Sequence, residues 1–117
     1  MNYTFQISQR KEISSNQLYL ETIDNLSQFD VLYQPLIEEL KNTLIQTGSG
    51  ELMIKMDSLN VLRARTLFNL FKFLQLQNSL GAILKITWKV PLHNIKMLET
   101  AMDFAELYEL QIAISID

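Results

Sequence analysis

The chain has 117 residues, 48% hydrophobic and 20% charged, which suits one folded domain with one core and is not the composition of a disordered segment. A formal charge of -3 and an isoelectric point near 5.1 give no overall basic field, so nucleic acid is not an expected partner. Cysteine is absent, which excludes disulfides, thiolate nucleophiles and thiolate metal sites together, and no apolar run approaches the ~20 residues of a membrane helix.

The first residues show no basic stretch followed by an apolar core, so no signal peptide is expected, and a cytoplasmic location fits the lack of cysteine. Tyr3, Phe5 and Ile7 alternate with Asn2, Thr4, Gln6 and Ser8, the period of two of a half-buried strand. Ser14-Ser15-Asn16 reads as a turn, and Leu18, Leu20 and Thr22 resume the alternation, so a hairpin or meander is the simplest opening. Asp24 to Gln28 reads as a polar connection. A first helix is expected from near Asp30, whose carboxylate suits a cap, and Pro35 places its regular part from about residue 33. Leu32, Leu36, Ile37, Leu40, Leu44 and Ile45 recur at helical spacing on one face, and Thr47-Gly48-Ser49-Gly50 ends the helix.

The centre of the chain, Glu51 to Trp88, reads as strand, helix, strand. Leu52-Met53-Ile54-Lys55-Met56 is the first strand and Ala82-Ile83-Leu84-Lys85-Ile86-Thr87-Trp88 the second. The helix between them, from about Arg65 to Asn78, is apolar around more than half its circumference, through Leu67, Phe68, Leu70, Phe71, Phe73, Leu74 and Leu76. Such a helix is either buried between neighbours or keeps part of its surface for binding. Pro91 starts a third helix that runs to about Tyr108, and Gln111 to Ile116 forms a last strand. The architecture expected is a single α/β domain, a mixed sheet of about five strands with about three helices mainly on one face.

Function is expected at the turn from Asp57 to Thr66, where a strand delivers the chain to a helix N-terminus. Thr66 is either a cap for the helix or a phosphoacceptor, and Ser58 is a second candidate hydroxyl. Arg63 and Arg65 suit an acidic partner or a phosphate, since guanidinium forks pair with both, or they are solvated charge. Asp57 reads as a turn-holding side chain. His93 is the only histidine, so a structural metal site is not expected, and it reads as a surface or helix-end residue. No phosphate loop, no Gly-x-Gly-x-x-Gly and no Gly-x-Ser-x-Gly is present, so neither an enzyme nor a bound cofactor is indicated.

Leu32 to Leu40, Ile86-Thr87-Trp88 and Met97 to Leu107 resemble the SiaC-type bacterial regulatory phosphoproteins, which belong with the STAS-like domains. The likeness runs from about Leu18 to Ile116. It implies a switch protein, phosphorylated by a serine/threonine kinase at the turn before the central helix, dephosphorylated by a metal-dependent phosphatase, and acting on a diguanylate cyclase. Where that family carries Asn-Thr-Ser-Ser, this chain reads Arg63-Ala64-Arg65-Thr66, so Ala64 stands in the place of the acceptor threonine. After Trp88 the family's tyrosines and acidic run become Lys89 to Lys96. The expected function is a regulatory protein-binding module whose partner surface includes Asn60, Arg63, Arg65, Lys89 and His93. Two other classes stay open: a small-ligand sensor lined by Phe68, Phe71 and Phe73, and a structural subunit that dimerises through the same helix.

Overall fold

The computed structural model describes residues 3–6, 17–21 and 26–116, with side chains described over residues 33–116. Five strands and three helices follow in the order β1 (Tyr3–Gln6), β2 (Gln17–Glu21), α1 (Leu26–Thr47), β3 (Ser49–Lys55), α2 (Val61–Ser79), β4 (Ile83–Val90), α3 (Ile95–Tyr108) and β5 (Ile112–Ile116). The sheet is ordered β1-β5-β4-β3-β2 and every pairing is parallel, so it is not the mixed sheet expected. Nor do the first two strands form a hairpin: β1 and β2 lie at opposite edges, β1 on β5 and β2 on β3. Alternation locates a strand and its inward face but does not name its neighbour, which is where the hairpin expectation failed. The expected turn at Ser14-Ser15-Asn16 lies outside the described residues.

Each helix is a crossover between adjacent parallel strands, and all three pack on one face. One continuous core shows this. It joins Ile37, Leu40 and Leu44 of α1, Leu67, Leu70, Phe71 and Leu74 of α2, and Met97, Ala101, Phe104 and Tyr108 of α3 to the sheet rows Leu52-Ile86-Ile112 and Ile54-Trp88-Ile114. Because side chains alternate along a strand, Met53, Thr87 and Ser115 belong to the opposite face. Met53 is buried yet stands outside that core, and Thr87 and Ser115 are each 1% exposed. The middle of the core is aromatic: Phe71 packs on Trp88, Phe104 and Tyr108 with ring centroids 6.2, 5.0 and 5.7 Å away.

Helix boundaries moved for identifiable reasons. α1 starts at Leu26, so Asp30 is inside it and cannot be its cap, Leu26, Ser27 and Gln28 are helical, and Pro35 lies well past the first turn. Proline removes one backbone donor there without ending a helix whose apolar face is held by the core. At the other end Gly48 takes φ 73 and its amide closes on the Leu44 carbonyl at 2.9 Å, a left-handed stop that glycine adopts freely. Gly50 then lets strand and helix approach, since a Cβ there would stand 2.8 Å from Leu44 Cδ2.

Candidate functional site

Because β3 and β4 are adjacent and parallel, the turns that follow them, Met56 to Asn60 and Pro91 to Asn94, emerge side by side at one end of the sheet. In open parallel sheets this carboxyl end is where ligands and partners are met. The two turns are tied together by Asn94, whose Nδ2 donates to the Asp57 carbonyl at 2.7 Å. The same side chain caps α3, its Oδ1 accepting from the Met97 amide at 3.1 Å. Pro91, which the sequence placed at the start of that helix, instead begins a turn closed by the Asn94 amide on the Pro91 carbonyl at 3.0 Å. His93 occupies the third position of this turn at φ 67, a left-handed conformation that side chains other than glycine and asparagine seldom take.

The first turn of α2 is built differently from the sequence expectation. The helix begins at Val61, a turn earlier than Arg65, and its cap is Asn60, whose Oδ1 accepts from the Arg63 amide at 2.8 Å. Thr66 is therefore not the cap. It sits inside the helix, and its hydroxyl donates back to the Leu62 carbonyl at 3.1 Å. Ser58, by contrast, is exposed on the turn itself. Arg63 is 4% exposed, which overturns its reading as solvated charge, and its Nη1 donates to the Ser58 carbonyl at 3.4 Å. The guanidinium thus braces the turn from beneath while Arg65, two residues on and turned to the other side of the helix, is exposed.

Of the partner-contacting candidates, Asn60, Arg65 and His93 stand at this end of the molecule, and Arg63 lies under it. Lys89 is not brought to the same surface. It pairs in register with Lys55 and Ser115 on the face opposite the helices, because its neighbours Trp88 and Val90 point into the helix-side core. Sequence reasoning missed the apolar part of the site: Val61, Leu92 and Ile95 are 77, 62 and 66% exposed around the two turns. Helical spacing was the available signal for Val61 and Ile95, since neither falls in step with Leu67-Leu70-Phe71-Leu74 or Met97-Ala101-Phe104, whereas Leu92 lies in the turn before α3 and has no helical phase.

The three phenylalanines of the ligand-sensor reading do not line a common cavity. Phe71 is fully buried, Phe73 is half-buried under the Lys41 ammonium at 5.4 Å, and Phe68 stacks on Phe104 at 5.3 Å with its outer side open. A cleft of about 270 Å³ between α1 and α2 is lined by polar groups instead, among them Gln34, Lys41, Arg65, Thr66 and Asn69. Among the described residues no group of three or more histidines and carboxylates is placed to hold a metal ion, and no helix is long and apolar enough to cross a membrane.

Comparison with known proteins adds a family. Residues 10–116 match the family described as SiaC family regulatory phosphoprotein. No curated protein matches. Among solved structures, a chain in the crystal structure of the diguanylate cyclase SiaD in complex with its activator SiaC, from Pseudomonas aeruginosa, shares the fold. The two superpose with a TM-score of 0.75 at 17% identity, over 88% of this chain and 85% of that one.

Proposed function

The chain belongs to the SiaC family of regulatory phosphoproteins, and from that premise we propose that it is a non-enzymatic module that binds and regulates a protein partner, a diguanylate cyclase. The observation that carries the reading is the pair of turns locked by Asn94 and Asp57, which presents Val61, Leu92 and Ile95 to solvent beside Asn60, Arg65 and His93. Exposed apolar side chains ringed by polar and cationic groups are the composition of a protein-binding patch. In this reading the chain is one STAS-like unit that works in the bacterial cytoplasm.

Control by a serine/threonine kinase and a phosphatase acts, in the same proposal, on Ser58. Ala64 has no hydroxyl, and the hydroxyl of Thr66 is turned onto the helix backbone, whereas Ser58 is exposed two residues ahead of the α2 cap. A phosphate there adds about -1.5 to -2 charges next to the positive end of the helix and the Arg63 guanidinium. It changes the charge of the patch without disturbing the core.

The test is to mix the purified protein with the diguanylate cyclase encoded in the same genome and follow conversion of GTP to cyclic di-GMP. A change in cyclase rate that follows complex formation is expected, and it should be reversed by Ser58→Glu. A cyclase indifferent to the protein at concentrations well above micromolar would remove the proposal. Phosphosite mapping of the protein from its own cells should find Ser58 and not Thr66.

A further inference from the structure

Six of the ten lysines and arginines, Arg63, Arg65, Lys72, Lys85, Lys89 and Lys96, lie between Ser58 and Leu98, a stretch without one aspartate or glutamate. All thirteen carboxylates of this net acidic chain lie outside it. The fold puts α2 in the middle of that stretch and leaves one side of the helix uncovered. Val61, Ala64, Arg65, Phe68, Asn69 and Lys72 line a shallow hollow of about 460 Å³ along it. Their spacing of three and four residues makes one stripe about 16 Å long, close to three helical turns.

Within the stripe the apolar residues Val61, Ala64 and Phe68 run beside the cations Arg65 and Lys72. Phe68 is anchored by its stacking on Phe104, so its outer surface is presented by a fixed ring. Neither Arg65 nor Lys72 is paired with a carboxylate of the described residues, whereas Lys41 is paired with Glu38 and Lys85 with Glu51. Arg65 and Lys72, seven residues apart, stand about 10 Å from each other along the helix axis.

We propose that the exposed stripe of α2 is a docking track for an amphipathic, acidic α-helix of the partner protein, lying along Val61 to Lys72 with apolar side chains on Phe68 and Val61 and carboxylates on Arg65 and Lys72. This rests on the reading of the protein as a binding module and adds the chemistry of what it binds. A helix suits the stripe because its own apolar residues recur every three or four positions, which matches the rows of α2. An acidic one suits it because the charge is of one sign throughout, which steers association and rejects basic partners. Ala64, one turn into the stripe, lets the two backbones approach.

The test uses two stapled amphipathic peptides of four turns with identical leucine faces, one flanked by glutamates and the other by lysines. Titrated into the full-length protein and followed by amide NMR, the glutamate peptide is expected to shift residues 61–72 and to weaken as salt is added. The double variant Arg65→Glu, Lys72→Glu should lose about tenfold or more in affinity for it and gain affinity for the lysine peptide. That exchange of preference is one a merely structural role of these side chains would not produce. Equal binding of both peptides, binding elsewhere, or no binding overturns the docking track. Self-association of the protein alone that the double variant abolishes assigns the stripe to a second copy and overturns it as well. If the double variant still regulates a diguanylate cyclase, the track is wrong while the proposed function stands; if the track is confirmed and no cyclase responds, the reverse holds.

Discussion

Asn94 makes two bonds with one side chain, and separating them shows how far the two turns of the site depend on each other. Asn94→Asp keeps the acceptor for the Met97 amide but removes the donor to the Asp57 carbonyl. Asn94→Ala removes both, and Asn60→Ala removes a cap alone. A helix cap is worth about 1 kcal/mol, and a net tertiary hydrogen bond also contributes about 1 kcal/mol. Urea denaturation should therefore give losses of about 1 kcal/mol for Asn94→Asp and for Asn60→Ala, and about 2 kcal/mol for Asn94→Ala. Hydrogen exchange adds the local readout: Asn94→Asp should quicken exchange of the amides from Asp57 to Asn60, on the other turn, while leaving α3 protected. Should Asn94→Asp match the parent protein in both assays, the bridge contributes nothing and the two turns are independent. Should Asn94→Ala lose no more than Asn60→Ala, the additive arithmetic is wrong.

Phe71→Ala removes the ring at the centre of the aromatic core and is expected to cost about 3–5 kcal/mol, enough to leave much of the protein unfolded in a denaturation series. Trp88→Phe should cost under about 2 kcal/mol, because the buried Trp88 Nε1 has no hydrogen-bond partner among the described residues to lose. Thr66→Val should change stability by less than about 0.5 kcal/mol, since it deletes a bond back to Leu62 and not a cap; a loss of a full kcal/mol would restore the capping role. Burial raises the Tyr108 hydroxyl above its ordinary range, so the folded state holds that proton more tightly than the unfolded chain. Its contribution is fully present at neutral pH, begins to fall as pH rises through the unfolded value near 10.0, and is lost above the folded one; Tyr108→Phe should remove that alkaline limb from a plot of stability against pH.

The central strand, helix and strand were legible because each carries its own period and each is bounded by glycine or a turn. What the sequence concealed was pairing and ends. Tyr3-Thr4-Phe5 and Leu18-Tyr19-Leu20 show the same alternation whether they face each other or, as here, lie at the two edges of one sheet. Asn60 was overlooked as a cap because no glutamate or glutamine follows at the third helical position; Arg63 occupies it and turns inward. Arg63 and Lys89 carry equal formal charge, yet one is buried under the turn and the other lies on the far face, a distinction set by helix phase and strand parity together. The excess of apolar residues in the central helix did contain a binding-face signal, but which residues belong to it depended on where α3 packs, and Phe104 decides that by covering one side of Phe68.

The pairing of β1 with β5 sets a timetable. Tyr3 lies opposite Ile112, so the first strand of this sheet to be made has its neighbour in the last of the five. Every other pairing in the sheet joins strands separated by a single helix and can form as soon as that helix has been made. β1 must wait until β5 has been made, and its closure is the most entropically demanding contact in the sheet. Until it arrives, β5 has an open row of backbone donors and acceptors, which any extended segment of another nascent chain can occupy.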